Sequence, residues 1–312
     1  MASDAWRQAR TALSSGRPSS AVGPLERLIS FEPDLAELGL VAAQAALAGG
    51  DAAGALAIIN RTPSTSDLTQ HACLRAQALL ALGDLPASEA AWSKAGQTCW
   101  ASPVLLRAYI DGHRTRREFG EAATDLRALG QLSPSSPETL EDLGVLTALN
   151  DPFAALTILD AALKSSPKPL ALSEDLANAI RASSDDEGLA LALVGEALIR
   201  HGAWAEAVEA LTNAVSRKPA FAQAYAYLGL ARDRSGGDGL NDLQTAARLS
   251  PSAALPHIFL SIHWQAANRL AEARTELETA ARLDSRNPAI AAQMGAVLVE
   301  MGDLPAAREA YR

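Results

Sequence analysis

The sequence predicts an all-α chain built from stacked helical hairpins. Three observations carry this. Across Gly188–Phe221 the apolar positions Leu191, Val194, Ala197 and Leu198, then Trp204, Val208, Leu211 and Val215, recur at helical spacing on either side of Gly202. The small residues Gly195, Ala207 and Ala214 stand 12 and 7 positions apart, where two helix axes must approach closely. Related segments then recur along the 312 residues, each closing near a proline.

Each element of the Gly188–Phe221 hairpin has a physical reason. Gly202 suits the left-handed cap that ends a first helix, and Pro219 cannot continue the second. Gly195 and Ala207 remove side chains from the crossing, and Ala214 lets the next hairpin approach.

The rest of the chain follows in order. Ala2–Leu35 repeats the pattern with Ala9, Gly16, Ala21 and Pro33, and Ala36–Leu68 with Ala43, Gly50 and Ala55, its tail from Asn60 reading as a longer loop. Thr69–Ser102 follows with Ala76, Gly83 and Ser88. Its GDLPASEAAW nearly duplicates GDLPAAREAY at Gly302–Tyr311; Asp84 and Asp303 are expected to cap a second helix, with Pro86 and Pro305 in its permissive first turn. Pro103–Ser136 departs from the pattern, Ile110 replacing the small residue and Arg117 the turn glycine. Pro137–Lys168 returns to it with Gly144, Ala155 and Ala162. Between Pro167 and Pro219 three helices are expected where two would be regular, the extra one over Leu172–Ala182. Three further copies follow, over Ala222–Ala253, Ala254–Asn287 and Pro288–Arg312. The expected organisation is about nine hairpins: a first array over 1–169, a half-repeat or hinge over 170–187, and a second array over 188–312 whose last copy stops inside its second helix. That stop reads either as a cut from a longer protein or as an end covered by a partner or a second copy, since a solenoid needs its terminal apolar face covered.

The order of large, small, glycine and proline positions resembles the tetratricopeptide repeat (TPR) family, the bacterial-type scaffolds in particular. The resemblance implies a right-handed α-solenoid whose first helices line a concave groove, and a role in protein–protein interaction. It places Gln223, Tyr227, Leu230 and Arg234, then Leu255, Ile258, Phe259, Ile262 and Gln265, in the C-terminal groove as a candidate partner-binding strip, followed by Ala292, Gln293, Ala296 and Val299. Such a strip takes an apolar-anchored helix or peptide, unless tighter coiling or a neighbouring chain fills it. Towards the N-terminus the groove positions hold Trp6, Arg7, Arg10, Leu40, Gln44 and Gln70, then Arg107, Asp111 and Arg114, then Glu138, Glu141 and Asp142. The compact basic run His113–Arg117 makes Arg107, Arg114, Arg116 and Arg117 a secondary candidate for an acidic peptide; the alternative is a solvated helix end. The Lys and Asn set of the chaperone-binding subfamily is not reproduced.

Composition narrows the function classes. A formal charge of −9 disfavours general nucleic-acid binding. Aromatics are only 4% of residues, which suits close helix packing rather than a β-sandwich. Cys73 and Cys99 are expected as reduced, packed thiols. The N-terminus lacks an apolar signal segment, and a cytoplasmic protein is expected. Five scattered histidines and the absence of a phosphate-binding loop argue against catalysis, a cofactor or a metal. The expected function is a non-catalytic scaffold, with self-association through Val297, Leu298 and Met301 of the final hairpin as a further possibility. The alternative is the substrate-recruiting arm of a larger enzyme, such as a glycosyltransferase with its catalytic domain beyond residue 312.

Overall fold

A computed structural model describes residues 2–32, 35–63, 68–95, 103–132 and 136–311. Among the described residues the regular structure is nineteen α-helices and no strand. They divide into two compact units, Met1–Ser133 and Pro134–Arg312.

The first unit holds α1 (Ala2–Ser14), α2 (Ser19–Phe31), α3 (Ala36–Ala48), α4 (Ala52–Arg61), α5 (Leu68–Ala81), α6 (Leu85–Ala95), α7 (Pro103–Thr115) and α8 (Phe119–Leu132). They pair as four consecutive hairpins. The second unit holds α9 (Pro137–Ala148), α10 (Pro152–Ser165), α11 (Ala171–Ala182), α12 (Glu187–Arg200), α13 (Trp204–Arg217), α14 (Ala222–Arg234), α15 (Leu240–Leu249), α16 (Ala254–Ala266), α17 (Leu270–Leu283), α18 (Pro288–Glu300) and α19 (Leu304–Ala310). Here α11 is the odd helix, packed against α9, α10 and α12, while α12 pairs with α13 and the remaining helices pair in sequence. Asn213 of α13 donates to the Leu149 carbonyl (2.9 Å) and to Asn150 Oδ1 (2.7 Å), tying it to the α9–α10 turn 63 residues or more away in sequence.

The helix ends follow from local chemistry. Asp51, Asp84, Asp151, Asp186 and Asp303 each accept a hydrogen bond from the backbone N–H three residues on, which satisfies one orphan donor of a first turn. At Gly202 the chain turns left-handed (φ +73°), Ala203 N–H reaching back to the Leu198 carbonyl at 2.9 Å and Gly202 N–H to Ile199 at 3.0 Å. Arg117 does the same work without being glycine: it sits at φ +62°, with Glu118 N–H bonded to the His113 carbonyl at 2.8 Å. Pro33, expected to close the first hairpin, lies outside the described residues, as does Pro134.

The crossing inside each hairpin explains the small residues. A Cβ placed on Gly195 would come within 2.4 Å of Leu211 Cγ, and one on Gly144 within 2.6 Å of a Leu159 methyl. Gly229 against Leu243 (2.5 Å) and Gly295 against the Tyr311 ring (2.3 Å) repeat the contact. The leucines are fully buried. In α5–α6 the small residue of the second helix is Ser88, whose buried hydroxyl donates to the Ala76 carbonyl (2.7 Å) and pairs with Tyr109 Oη (2.8 Å).

Two expectations are corrected. Cys73 is disulfide-bonded rather than a reduced thiol. Cys99 itself lies outside the described residues. Val297 and Leu298 do not face outwards but are buried, because α18 packs against α16, α17 and α19, whereas Met301, Leu304 and Tyr311 are exposed. No helix among the described residues is long and apolar enough to cross a membrane.

Because Leu211 is fully buried at the crossing, Gly195→Ala is expected to destabilise the second unit by about 1–3 kcal/mol, read as a lowered urea midpoint with an unchanged m-value.

Candidate interaction site

The C-terminal strip comes together in space, but much of it is interior. Leu230 of α14 and Ile258 and Phe259 of α16 are buried in one apolar cluster, with Tyr227, Leu255 and Ile262 half-buried against it. Tyr227 and Phe259 meet with ring centroids 5.5 Å apart and a 56° tilt, a geometry favourable for aromatic pairs. Burial raises the Tyr227 hydroxyl above the usual phenol range, with Glu196 adding to the effect. Gln265 is bonded to Glu300 and Gln293 at 2.5 Å each. Gln223 and Arg234 stand exposed, Arg234 lying over the Trp204 ring at 5.9 Å. The groove register thus brings these side chains together largely to pack α14 on α16.

The basic run is locked into an acid–base network. Arg116 pairs with Glu89 of α6 (2.7 Å) and with Glu118 (2.9 Å). His113 Nδ1 lies 2.7 Å from Glu118, and its Nε2 lies 3.5 Å from Asp125 of α8. Arg107 and Arg114 are half-exposed, and Arg117 is exposed at the left-handed turn. Burial pushes the Asp125 carboxyl up to about 6, against the lowering influence of His113. Among the described residues Asp125 Oδ2 has no hydrogen-bond partner.

An apolar notch opens instead between the first two hairpins. Trp6 and Leu13 of α1, Phe31 of α2, Leu35, and Val41 of α3 line a cavity of about 750 Å³. These five side chains are between 37% and 53% exposed, an arrangement that ordinarily marks a contact surface. Arg10, Glu32 and Glu37 also line it. Sequence reasoning reached Trp6 and Arg10, but not Leu13, Phe31, Leu35 or Val41. Leu13 was visible at the helical spacing i+7 from Trp6; Phe31 and Leu35 belong to a helix end and a connection, which a first-helix groove pattern does not sample. Leu40, expected in the groove, is buried.

Among the described residues one group could offer ligands to a cation. Asp233, Asp238 and His263 bring one ligand atom each within 4.8 Å of one another. Their bonds already serve the α14–α15 turn: Asp233 accepts from Gly239 N–H (2.7 Å) and pairs with His263 Nδ1 (2.9 Å), and Asp238 accepts from Leu240 N–H (2.9 Å).

No protein-family model matches the chain, and no curated protein matches it. Among solved structures it is similar to the APC/C hetero-tetramer Cut9–Hcn1, with 14% identity and a TM-score of 0.39 over 97% of this chain and 76% of that one. It is similar also to the TPR domain of P58(IPK), with 13% identity and a TM-score of 0.32 over 96% and 99% of the two chains. A thermophilic TPR protein of Thermus thermophilus, TTC0263, shares 24% identity with a TM-score of 0.38 over 56% of this chain and 88% of its own. What decides the description is the chain's own hairpin register.

The chain is an array of consecutive helical hairpins.

The helices are set by the crossings inside each hairpin, so sites are made by side chains that those crossings leave over. The notch consists of such side chains. The Asp125 network, by contrast, is spent on closing α7 on α8. Its carboxyl is raised on folding, so the native state carries an ionised, desolvated group above pH 6, and this penalty is relieved as the pH falls towards the ordinary carboxylate range. Asp125→Asn should therefore raise stability at pH 7.5 by about 1–3 kcal/mol and have little effect at about pH 3, below both pKa values, a difference that thermal melts at the two pH values will read.

Proposed function

We propose that the chain is a non-catalytic scaffold that holds a segment of a partner protein, with the notch between the first two hairpins as its principal contact. The observation that carries this is the convergence of Trp6, Leu13, Phe31, Leu35 and Val41 on one open cavity. Large apolar side chains left in water are stabilised by a partner that covers them, and aromatic anchors in such a place contribute most of the binding energy. The cavity lies within the range of well-formed binding pockets. Arg10, Glu32 and Glu37, which also line it, suit a segment carrying charges of both signs around its apolar residues. An amphipathic helix with anchors three or four positions apart has that chemistry. Along α14 and α16, Gln223, Arg234 and the open edges of Tyr227, Leu255 and Ile262 provide a second, shallower contact of the same kind.

Selection of binders from a random peptide display library tests the reading. Enriched sequences are expected to carry paired apolar residues at helical spacing. Trp6→Ser and Phe31→Ser should each weaken their binding by about tenfold or more, with the helical circular dichroism unchanged. Peptides that bind both variants as well as the parent chain would place the contact elsewhere.

A further inference from the structure

A second surface lies on the neighbouring face of α1 and belongs to neither the notch nor the basic run. Arg7, Gln8 and Thr11 of α1, Arg17 of the connection, and Ser20 and Arg27 of α2 line a shallow cleft of about 530 Å³. Three guanidinium groups border it, and among the described residues no carboxylate does. The first 31 residues hold four arginines against two carboxylates, in a chain whose net charge is −9.

These arginines differ from Arg116, which is neutralised by two glutamates at 2.7 and 2.9 Å. Around the cleft, Arg27 donates to the neutral Gln8 Oε1 at 2.8 Å, and Arg17 to the Ser15 hydroxyl at 3.2 Å. Arg7 lies 3.5 Å from Asp4, with both groups well exposed. Glu26, the second carboxylate of this hairpin, is taken by Arg61 of α4 at 3.1 Å. A guanidinium has five N–H donors in a fixed fork, so these bonds hold Arg17 and Arg27 in place and leave further donors for a ligand in the cleft.

We propose that this cleft binds an acidic peptide segment of a partner protein, its carboxylate or phosphate oxygens taken up by Arg7, Arg17 and Arg27. Planar guanidinium groups grip either oxyanion in paired hydrogen bonds. The net charge selects a short peptide over a longer polyanion. Charges act over roughly 8 Å at physiological ionic strength, so a short segment meets the local arginines alone. A nucleic acid or an anionic membrane extends beyond them and meets the acidic remainder of the surface. The cleft and the notch use different faces of α1, so either can bind without the other.

Fluorescence anisotropy with the full chain tests it. Three labelled peptides of one length are compared: one rich in glutamate, one with phosphoserine in place of the glutamates, and one with glutamine. Binding of either acidic peptide, with the two affinities showing which oxyanion is preferred, is the expected result, and the glutamine peptide should bind at least about tenfold more weakly. The double variant Arg17→Gln/Arg27→Gln should lose about tenfold or more, while Arg116→Gln and Trp6→Ser bind as the parent does. Affinity should fall as salt is raised from about 50 to about 300 mM. Equal binding of the glutamine peptide, an undiminished double variant, loss on Trp6→Ser, or tighter binding to an oligonucleotide or to phosphatidylserine vesicles would each overturn the proposal. Failure here leaves the notch reading standing, because that reading is scored on Trp6 and Phe31.

Discussion

The contact of a missing side chain with a buried leucine is the constraint on which the structure depends. Gly144, Gly195 and Gly229 each stand where a single Cβ would collide with a leucine of the following helix. The gain is close approach of two backbones and full burial of the leucine, which contributes roughly 1.5–3 kcal/mol for each such side chain. Because the contact is internal to a hairpin, it recurs without long-range partners, and stability accumulates repeat by repeat. Where serine stands in place of the second helix's alanine, the chain compensates locally. Ser88 brings a hydroxyl into the core and satisfies it on Ala76 and Tyr109.

Turn chemistry is the second constraint. Hairpins such as α3–α4, α5–α6 and α18–α19 close with a left-handed glycine and an aspartate that caps the next helix. The α7–α8 hairpin closes with Arg117 in that conformation; His113, Arg116 and Glu118 are paired at the same turn, and Glu89 of α6 joins them through Arg116. His113 and Arg116 of the basic run thereby take part in the fold's own ion pairs. Charge in a repeat protein becomes available to a partner only where the fold has not already spent it, as around Arg17 and Arg27.

Function follows from what the stacking leaves over. Second helices and first helices bury their small and branched faces against one another, and the side chains that escape are set by position in the array. At the α14–α16 contact Leu230, Ile258 and Phe259 are consumed by packing. At the first two hairpins Trp6, Phe31 and Leu35 are not. One repeat pattern therefore yields a closed surface in one place and an open notch in another.

The sequence by itself determined the hairpins, their order and the extra helix α11. These depend on short-range rules, the spacing of small residues, capping aspartates and left-handed glycines, all of which are local in the chain. Gly195, Ala207 and Gly202 were enough to set the register of the hairpin that contains them. Only the tertiary structure decided which candidate residues face water. Phe259 and Tyr227 occupy equivalent groove positions, yet Phe259 is buried and Tyr227 only half-buried, because exposure depends on what packs against each helix rather than on its own pattern. The same holds for Arg7, Arg17 and Arg27, ten residues apart in the chain. They border one cleft because two antiparallel helices fold them together, a proximity no local pattern encodes.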